Sequence, residues 1–322
     1  MTNFPALRDI AKQLMTSGKG LLAVDDFPAG IEKRFAAIGV ASTPNTRRDF
    51  REMLFSTPEF ARDVSGVILY EETFWNAKLP AVLKGIKLDM GQKPLALSDG
   101  ELISEGLDGL AQRIAGFKAA GASFAKWRAV LKISDVLPSQ NAIAANCHAL
   151  ARYAAICQQE GLVPIVEPDI LMDGDHTIER CAEVTRLVLD EQFEQLETAG
   201  VDLAAMILKP NMVTAGSKMR SDSQIVAEMT TQVLLHHVPT GIGGIAFLSG
   251  GQSEIEATQN LNLIANKIHA TFSFNRALQD TALKTWAGKS ENIKAAQIAF
   301  SHRLKMNALA AQGLWSLKME QP

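Results

Sequence analysis

Lys209 occupies a position at which a lysine can do covalent chemistry. It follows the apolar run 204–208 and precedes Pro210, so we expect it at the mouth of a strand and not on a solvated helix. A lysine becomes a nucleophile when burial or a second cation lowers its pKa, and its usual product with a carbonyl is a Schiff base. The alternative is a structural ion pair between a strand-end lysine and a carboxylate, which also perturbs the pKa of a lysine.

Two further charged residues, Lys126 and Glu167, lie in neighbouring strand-like runs and could assist such a lysine. Lys126 is a candidate for the second cation. Glu167, in the segment Val-Glu-Pro-Asp, brings a carboxylate next to the strand of Lys209. Imine formation needs an acid and a base to dehydrate the carbinolamine, and a carboxylate among lysines can shuttle those protons. On its own, an acidic residue before a proline is more often a hydrogen-bond partner in a loop.

A phosphate site is indicated by the residues that end the last two strand-like runs. Ser249, Gly250 and Gly251 end one run, and Arg276 ends the other. Glycines let backbone N–H groups approach a phosphate closely, and arginine offers a planar fork of donors. Loops after the seventh and eighth strands of an α/β barrel often form such a site. Each loop alone is a weak signal because turn glycines are common, but their joint placement is more specific.

Short aliphatic runs that end in a polar or charged residue recur along the chain and must position these groups. Helical patterns separate them, among them 141–159 and 175–199, which are followed by Gly161 and Gly200. Strands that alternate with helices predict a parallel sheet, and eight of them close a (β/α)8 TIM barrel. The alternative, a doubly wound open sheet, usually carries GxGxxG after its first strand, where this chain has only DDFP. The eight runs are 21–25, 67–71, 82–87, 123–128, 163–167, 204–209, 245–249 and 271–276.

Charged and polar side chains end these runs, and in a closed barrel the carboxyl ends of the strands carry the active site. The alternation of side chains places Lys126 and Arg128 on one face of their strand, and Glu167 and Asp169 on one face of theirs. Unpaired charges would cost too much in a structural core, so this ring predicts a water-filled pocket for an anionic substrate. The residues at these ends are Asp25, Glu71, Lys87, Lys126, Arg128, Glu167, Lys209, Ser249 and Arg276.

Composition excludes several classes of protein and of partner. The 322 residues include 35 acidic and 32 basic side chains, and a formal net charge of −3 gives no general attraction to nucleic acid or to a membrane surface. A hydrophobic fraction of 47% is too high for a disordered chain. The sequence has no run of about 18 apolar residues, so we expect no membrane-spanning helix. The histidines show no metal-binding spacing, and no metal site is predicted.

The cysteines and the first residues indicate where the protein works. Its three cysteines, Cys147, Cys157 and Cys181, cannot all pair and show no metal-binding spacing, which favours a reducing compartment. Residues 1–20 lack the charged and apolar regions of a secretory signal and instead show helical spacing, with Pro5 in the first turn. We therefore expect a cytoplasmic protein whose chain begins with a helix.

Longer motifs accompany the strand ends: GIKLD at 85–89, FAKWRAVLKI at 124–133, VPIVEPDIL at 163–171, LKPNMVT at 208–214 and FLSGGQSE at 247–254. Together they resemble class I fructose-bisphosphate aldolase. The motifs occur in the same order as in that family, and the resemblance extends from about Gly20 to about Gln312. The resemblance implies one (β/α)8 barrel domain over residues 1–322, with an N-terminal helix in 1–20, C-terminal helices in 277–322 and assembly as a homotetramer. It also implies reversible cleavage of fructose 1,6-bisphosphate to dihydroxyacetone phosphate and glyceraldehyde 3-phosphate in glycolysis and gluconeogenesis, without a metal or another cofactor.

The resemblance further implies roles for the residues at which the motifs match. Lys209 matches the Schiff-base lysine, Glu167 the acid and base of imine formation, and Asp25 the aspartate that assists cleavage of the C3–C4 bond. Lys126 matches the lysine that helps to keep the nucleophile neutral. The binders of one phosphate are matched by Ser249, Gly250 and Arg276, and the residues toward the sugar or the other phosphate by Lys87, Arg128 and Arg34.

Three features depart from the family pattern. Asn275 precedes Arg276 where the family commonly has a glycine whose backbone N–H contacts the phosphate. The segment 27–30 reads FPAG where serines are usual, so we expect the second phosphate to be held differently. The two tyrosines, Tyr70 and Tyr153, do not match the tail tyrosine that assists proton transfer in eukaryotic members. We therefore expect another group to serve that transfer, or the transfer to be slower.

Two other functions stay open at this point. A Schiff-base aldolase for another phosphorylated ketose, such as sedoheptulose bisphosphate, would carry the same ring of charges. A non-catalytic scaffold could retain the same barrel. However, a scaffold has no need to keep a group of buried charges, here Asp25, Lys126, Glu167 and Lys209. We therefore expect an enzyme whose partners are a phosphorylated sugar and further copies of the same chain.

Overall fold

Eight parallel strands form a barrel in the computed structural model, which describes residues 2–219 and 221–321. The barrel strands are β1 (Gly20–Val24), β2 (Val64–Leu69), β3 (Leu83–Lys87), β6 (Phe124–Leu131), β7 (Val163–Ile170), β8 (Ile207–Leu208), β9 (Ala246–Phe247) and β10 (Thr271–Phe274), and β4 (Gln92–Pro94) and β5 (Leu102–Ser104) pair outside it. The order around the barrel is β8-β7-β6-β3-β2-β1-β10-β9. A bridge between Leu208 and Ile245 joins β8 to the segment that enters β9 and closes the ring.

The predicted TIM barrel is confirmed, and each of the eight apolar runs overlaps one barrel strand. The runs and the strands differ at several of their ends, and a local reason is visible for two of these differences. In the run 204–209, Leu203–Ala205 forms a 3-10 turn, because the side chain of Asp202 accepts the N–H of Ala204 at 3.1 Å. In the run 271–276, Arg276 is not part of the strand, since it begins the helix Arg276–Trp286.

Helices connect the barrel strands, and the two that the sequence predicts are present. The pattern 141–159 is confirmed as one helix, and the pattern 175–199 forms a helix that begins at Ile178. This later start follows from Thr177, whose side chain accepts the N–H of Arg180 at 3.2 Å and caps the helix. The α-helices of the described residues are α1 (Phe4–Leu14), α2 (Pro28–Ala36), α3 (Pro44–Phe55), α4 (Phe60–Asp63), α5 (Glu71–Phe74), α6 (Leu110–Ala119), α7 (Gln140–Gln159), α8 (Ile178–Thr198), α9 (Ser223–His237), α10 (Glu254–Ala265), α11 (Arg276–Trp286) and α12 (Ile293–Ala310), and further 3-10 turns cover Ser290–Asn292 and Leu317–Glu320.

In the sequence, the antiparallel hairpin of β4 and β5 follows β3 and precedes β6. It has no counterpart among the predicted runs. Each of its strands has three residues, which is too short for an alternating pattern to stand out in the sequence. The hydroxyl of Ser104 donates to the backbone carbonyl of Arg128 at 2.6 Å. The hairpin therefore supports the carboxyl-terminal half of β6, which carries part of the charged ring.

Side chains of complementary size fill the barrel interior. The ring of Phe124 lies against Gly66 and Gly85, and a Cβ on Gly85 would overlap that ring. A Cβ on Gly20 would lie 2.6 Å from the ring of Phe272 on the neighbouring strand. Glycine at these positions thus makes room for the two aromatic rings, as close packing in an interior requires.

Helix α1 closes the amino-terminal end of the barrel. Pro5 lies in its first turn, as predicted, and Leu7, Ala11 and Leu14 are buried. They form one apolar cluster with residues of the barrel interior, among them Phe124. The opposite end, where the strands terminate in charged residues, stays open for a site. No helix of the described residues has the length and apolar content that a membrane crossing requires.

Candidate active site

A cavity of about 570 Å³ opens at the carboxyl ends of the barrel strands. The residues that the sequence predicts for catalysis and phosphate binding all line it: Asp25, Arg34, Lys87, Lys126, Arg128, Glu167, Lys209, Ser249, Gly250 and Arg276. They lie on the strands β3, β6 and β7, within three residues after β1, β8 and β9, and on the helices α2 and α11. The fold therefore gathers in one place groups that are far apart in the chain.

Four buried side chains at the base of the cavity form a chain of ion pairs. The Nζ of Lys209 lies 2.9 Å from Oε1 of Glu167, and the Nζ of Lys126 lies 2.9 Å from Oε2 of the same carboxylate. Lys126 also lies 2.5 Å from Oδ2 of Asp25. None of the four side chains is more than 6% exposed. A charged group of this kind, inside the protein and facing a cavity, fits a reaction centre better than a structural core.

The pKa values of the two lysines in this group of ion pairs shift in opposite directions. Burial lowers the pKa of Lys209, and the charge of Lys126 lowers it further, against the attraction of Glu167. Burial also acts to lower the pKa of Lys126, but the attraction of Asp25 and Glu167 outweighs it and raises the pKa. Lys209 is consequently the lysine that more readily becomes a neutral amine, while Lys126 stays a cation.

The two carboxylates in this group of ion pairs, Asp25 and Glu167, stay ionised. Burial acts to raise the pKa of Asp25, but the attraction of Lys126, Lys209 and Lys87 outweighs it and lowers the pKa to about 2. The pKa of Glu167 is likewise lowered, because the attraction of Lys126 and Lys209 exceeds the effect of burial. At neutral pH both groups are therefore carboxylates that can accept a proton from a substrate.

Strand register explains why these side chains meet. Lys87 on β3 pairs with Lys126 on β6, and Arg128 on β6 pairs with Glu167 on β7. Because side chains alternate along a strand, the inward positions of neighbouring strands stand side by side. Lys209 follows the short strand β8, and its backbone N–H donates to the carbonyl of Val166 at 2.8 Å. This bond fixes the lysine beside the strand that carries Glu167.

One end of the cavity is built from donors. Gly250 and Gly251 have φ angles of 59° and 91°, a left-handed backbone that glycine adopts without strain. The guanidinium of Arg276 lies next to Gly251, since a Cβ there would be 3.3 Å from Nη2. Arg276 is exposed, begins α11 and forms no ion pair with any described residue. A glycine loop, an arginine and a helix N-terminus together suit a phosphate.

Three further cations of the cavity, those predicted from the sequence to face the sugar or a phosphate, are paired with protein carboxylates. Lys87 lies 2.5 Å from Asp89. Arg128 pairs with Asp169 through a bond of 2.7 Å from Nε. The Nη1 of Arg34 lies 2.9 Å from Asp26, and its Nη2 lies 3.2 Å from Asp280. These pairs hold the cations in fixed positions around the space that a sugar would fill.

Phe27 packs directly on one of these cations. It is the first residue of the segment 27–30, which differs from the family pattern. The centroid of its ring lies 3.7 Å from the Nζ of Lys87, and the ring makes an edge-type contact with the ring of Tyr70. A cation over an aromatic face gains electrostatic attraction and loses water. In this chain the ammonium of Lys87 is therefore held between a carboxylate and a ring.

Glu71 was expected in the charged ring, and this expectation is wrong. Strand β2 ends at Leu69, and Glu71 begins helix α5, where it is exposed and does not line the cavity. The run 67–71 ends in a charge, but the backbone turns into a helix at Tyr70 and carries the carboxylate away. The apolar pattern alone does not distinguish a strand that continues to the charged residue from a strand that ends earlier and is followed at once by a helix.

Several lining residues were not predicted from the sequence. Lys33 precedes Arg34 on α2, and a basic pair on a helix is usually a solvated face. Ser273 on β10 is 1% exposed, lines the cavity and has a hydroxyl without a partner among the described residues. The alternation of β10 would have identified it, since it lies two residues before Asn275, which also lines the cavity.

No group of three or more His, Cys, Asp or Glu side chains within residues 2–219 and 221–321 is arranged to hold a metal ion. The ionisable groups at the base of the cavity are the buried lysines and carboxylates described above.

Comparison with known proteins places this arrangement in a family. The family model for fructose-bisphosphate aldolase class-I matches residues 6–322. The chain belongs to the class-I fructose-bisphosphate aldolase family. The resemblance of the strand-end motifs is thereby confirmed. A class-I aldolase is a lyase that cleaves a carbon–carbon bond through a Schiff base on a lysine.

Named members of the aldolase family are similar along nearly the whole chain. Fructose-bisphosphate aldolase B of Gallus gallus is 49% identical over 327 residues, which cover 96% of this chain and 90% of that protein. The cytosolic fructose-bisphosphate aldolase 6 of Arabidopsis thaliana is 48% identical, over 95% of this chain and 90% of that protein. A solved structure of the Plasmodium falciparum aldolase, in complex with TRAP and a small molecule inhibitor, superposes with a TM-score of 0.94 at 42% identity, over 97% of this chain and 96% of that one.

Proposed function

We propose that this class-I aldolase reversibly cleaves fructose 1,6-bisphosphate to dihydroxyacetone phosphate and glyceraldehyde 3-phosphate through an imine on Lys209. The observation that carries the proposal is the position of Lys209, buried at the base of the cavity, with a lowered pKa and 2.9 Å from Glu167. A buried lysine of lowered pKa beside a carboxylate is the arrangement that imine chemistry needs.

Glu167 serves the first half of the reaction. The neutral amine of Lys209 attacks the C2 carbonyl of the substrate and forms a carbinolamine. Glu167, which contacts both Lys209 and Lys126, takes up a proton and returns it to the departing hydroxyl, so that water leaves and the iminium forms. Its position between two lysines lets it exchange protons without leaving the site.

Asp25 serves the cleavage step. Its carboxylate accepts the proton of the C4 hydroxyl while the C3–C4 bond breaks and its electron pair moves into the iminium. The aldehyde departs, and an enamine remains on Lys209. Lys126 lies 2.5 Å from Asp25 and stays positive throughout, so it stabilises both carboxylates and repels a proton from Lys209. Protonation and hydrolysis of the enamine then release dihydroxyacetone phosphate.

The two phosphates are held at different ends of the cavity. Ser249, Gly250 and Arg276 bind one of them with hydroxyl, backbone and guanidinium donors. Lys87, Arg128 and Arg34 face the sugar or the other phosphate, and their carboxylate partners limit how far they can move. The cavity therefore presents cations along the whole length of a doubly phosphorylated ketose.

The experiment that tests the imine is borohydride reduction in the presence of dihydroxyacetone phosphate. We expect a stable adduct at Lys209, located by mass spectrometry and unaffected by a chelator. Lys209→Met serves as the negative control, and Lys267→Met, at an exposed lysine, as the matched control. Absence of an adduct, or loss of activity with a chelator, would overturn the proposal. Cleavage rates for fructose bisphosphate, fructose 1-phosphate and sedoheptulose bisphosphate decide among the ketoses.

We further propose that residues 1–322 form one domain that works as a cytoplasmic homotetramer. Relatives from Arabidopsis thaliana and Spinacia oleracea are named as cytosolic and cytoplasmic isozymes, which supports the location. Leu187 on α8 and Ile225 and Leu235 on α9 are exposed, and apolar surface of this kind on adjacent helices suits contact with another copy. Light scattering coupled to size exclusion measures the number of subunits, and a monomer would overturn the assembly.

A further inference from the structure

Asn275 ends β10 and is the N-cap residue of α11, but its side chain does not cap that helix. An asparagine at this position normally accepts a hydrogen bond from a backbone N–H of the first turn. Here no such bond is formed, and the half-buried side chain lines the active-site cavity instead. The presence of an asparagine at this position therefore has another physical reason.

The amide oxygen of Asn275 is fully used by two donors. Oδ1 accepts from Nη1 of Arg34 at 2.9 Å and from Nε2 of Gln279 at 3.0 Å. Arg34 can only donate, so the atom of Asn275 that faces it must be the oxygen. Gln279 is oriented independently, because its Nε2 also donates to the carbonyl of Ala23 at 2.7 Å. The network thus determines which way the Asn275 amide points.

The consequence is an amide nitrogen with two free N–H donors on a residue that lines the cavity. The Nδ2 of Asn275 forms no hydrogen bond with any described residue. Close by in the chain stand the buried hydroxyl of Ser273, which has no partner among the described residues, and the guanidinium of Arg276. Asp26 and Asp280 are both paired with Arg34 in this network. A group of donors without an acceptor is suited to an anion.

We propose that Asn275 is a phosphate-binding residue, whose Nδ2 donates to the phosphate held by Ser249, Gly250 and Arg276. The inference rests on the proposed function, in which this end of the cavity binds a phosphate of the substrate. A glycine at this position offers only a backbone N–H, whereas the asparagine adds a side-chain amide that Arg34 holds in place. Besides the role proposed above for Arg34, its contact with Asn275 makes it a positioning residue for this phosphate as well.

Two variants separate the donor from the rest of the network. Asn275→Asp keeps oxygen acceptors for Arg34 and Gln279 but replaces the donor with a carboxylate oxygen. Asn275→Ala removes the donor without adding a charge. Asn76→Asp, at an exposed position outside the cavity, is the matched control for the charge change. Thermal unfolding of each variant checks that the barrel is intact, and Asn275→Ala carries the test if the aspartate variant does not fold.

The first measurement is calorimetric titration with inorganic phosphate, which does not depend on the imine. We expect Asn275→Ala and Asn275→Asp to bind phosphate about tenfold more weakly or worse, since a hydrogen bond to a charged group is lost. Asn76→Asp is expected to bind as the wild type does. Unchanged affinity in both Asn275 variants, or no phosphate binding by the wild type, would overturn the inference.

The second measurement is the concentration of ketone that gives half-maximal borohydride trapping. We expect this concentration to rise about tenfold for dihydroxyacetone phosphate in both variants and to stay unchanged for dihydroxyacetone. An equal rise for both ketones would mean that Asn275 acts on Lys209 and not on the phosphate, which would contradict the inference. No adduct in the wild type would instead overturn the imine on Lys209, and the phosphate titration would still decide the role of Asn275.

Discussion

The Nζ of Lys209 lies 2.9 Å from Oε1 of Glu167, and both side chains are almost completely buried. The second oxygen of this carboxylate contacts Lys126, which also contacts Asp25. Lys126 is thus paired with two carboxylates and Lys209 with only one. This difference explains why the pKa of Lys209 falls while that of Lys126 rises, although both ammonium groups are equally buried.

We predict that Glu167→Gln lowers kcat by about 10²- to 10⁴-fold, because an amide cannot exchange the protons of imine formation. Steady-state cleavage and the single-turnover rate of borohydride trapping measure the effect. Glu183→Gln, at an exposed position, is the control and is expected to keep wild-type rates. A Glu167→Gln enzyme with a rate within tenfold of the wild type would contradict the role of Glu167.

We predict that Lys126→Met moves the pH dependence of imine formation to higher pH. Attack requires the neutral amine, so the rate rises as the pH passes upward through the pKa of Lys209. Burial lowers this pKa and Lys126 lowers it further, whereas Glu167 opposes the shift. Without Lys126, the repulsion is lost and Glu167 acts on Lys209 alone, which raises the pKa.

The initial rate of borohydride trapping with dihydroxyacetone phosphate, measured from pH 6 to pH 10, reports this shift. Lys267→Met removes an exposed lysine and is expected to leave the profile unchanged. A profile of Lys126→Met that coincides with the wild type, or that moves to lower pH, would show that Lys126 does not control the nucleophile.

We predict that Glu320→Gln destabilises the fold by about 1–3 kcal/mol, because buried Arg303 would lose its charged partner. Glu320 also accepts from Trp315 at 2.8 Å and from His302 at 3.1 Å, and thereby fastens Leu317–Glu320 to α12. Urea unfolding followed by tryptophan fluorescence measures the change. Glu291→Gln, at an exposed position, is expected to unfold as the wild type does.

The contribution of Glu320 should also depend on pH. Burial acts to raise its pKa, but Arg303 and the hydrogen bonds outweigh this effect and lower it. A carboxyl group whose pKa is lowered in the folded state stabilises the protein above its unfolded pKa and loses this effect as the pH falls through the folded value. The difference between wild type and Glu320→Gln should therefore shrink below about pH 4. A constant difference from pH 7 to pH 3 would contradict the ionic origin.

We predict that Gly85→Ala destabilises the barrel by about 1–3 kcal/mol, because the added methyl overlaps the ring of Phe124. Phe124→Leu alone should also destabilise it, since it leaves a void. In the double variant the two changes should compensate in part, and a double-mutant cycle from urea unfolding measures the coupling. Additive effects would mean that the two side chains do not share this space. Gly116→Ala, on the surface helix α6 with open space around it, is the control.

Local rules account for the parts of the fold and site that the sequence predicts. A strand alternates its side chains, so Lys126 with Arg128, and Glu167 with Asp169, could be placed on inward faces without knowledge of the tertiary structure. A different rule, that a charge at the end of an apolar run lies at the end of a strand, failed at Glu71, because the backbone enters a helix there. Side-chain alternation could not predict the hairpin of β4 and β5 either, because its strands are too short to show an alternating pattern.

The sequence by itself determined the barrel, the aldolase family and the set of charges that line the cavity, because apolar periodicity and strand-end motifs are properties of neighbouring residues. Only the tertiary structure decided which charges meet. Arg34 and Asn275 are 241 positions apart and lie in contact, and no local pattern links them. Which lysine is neutral and which amide nitrogen is free both follow from such pairings, since a pKa and a hydrogen bond depend on distance in space and not along the chain.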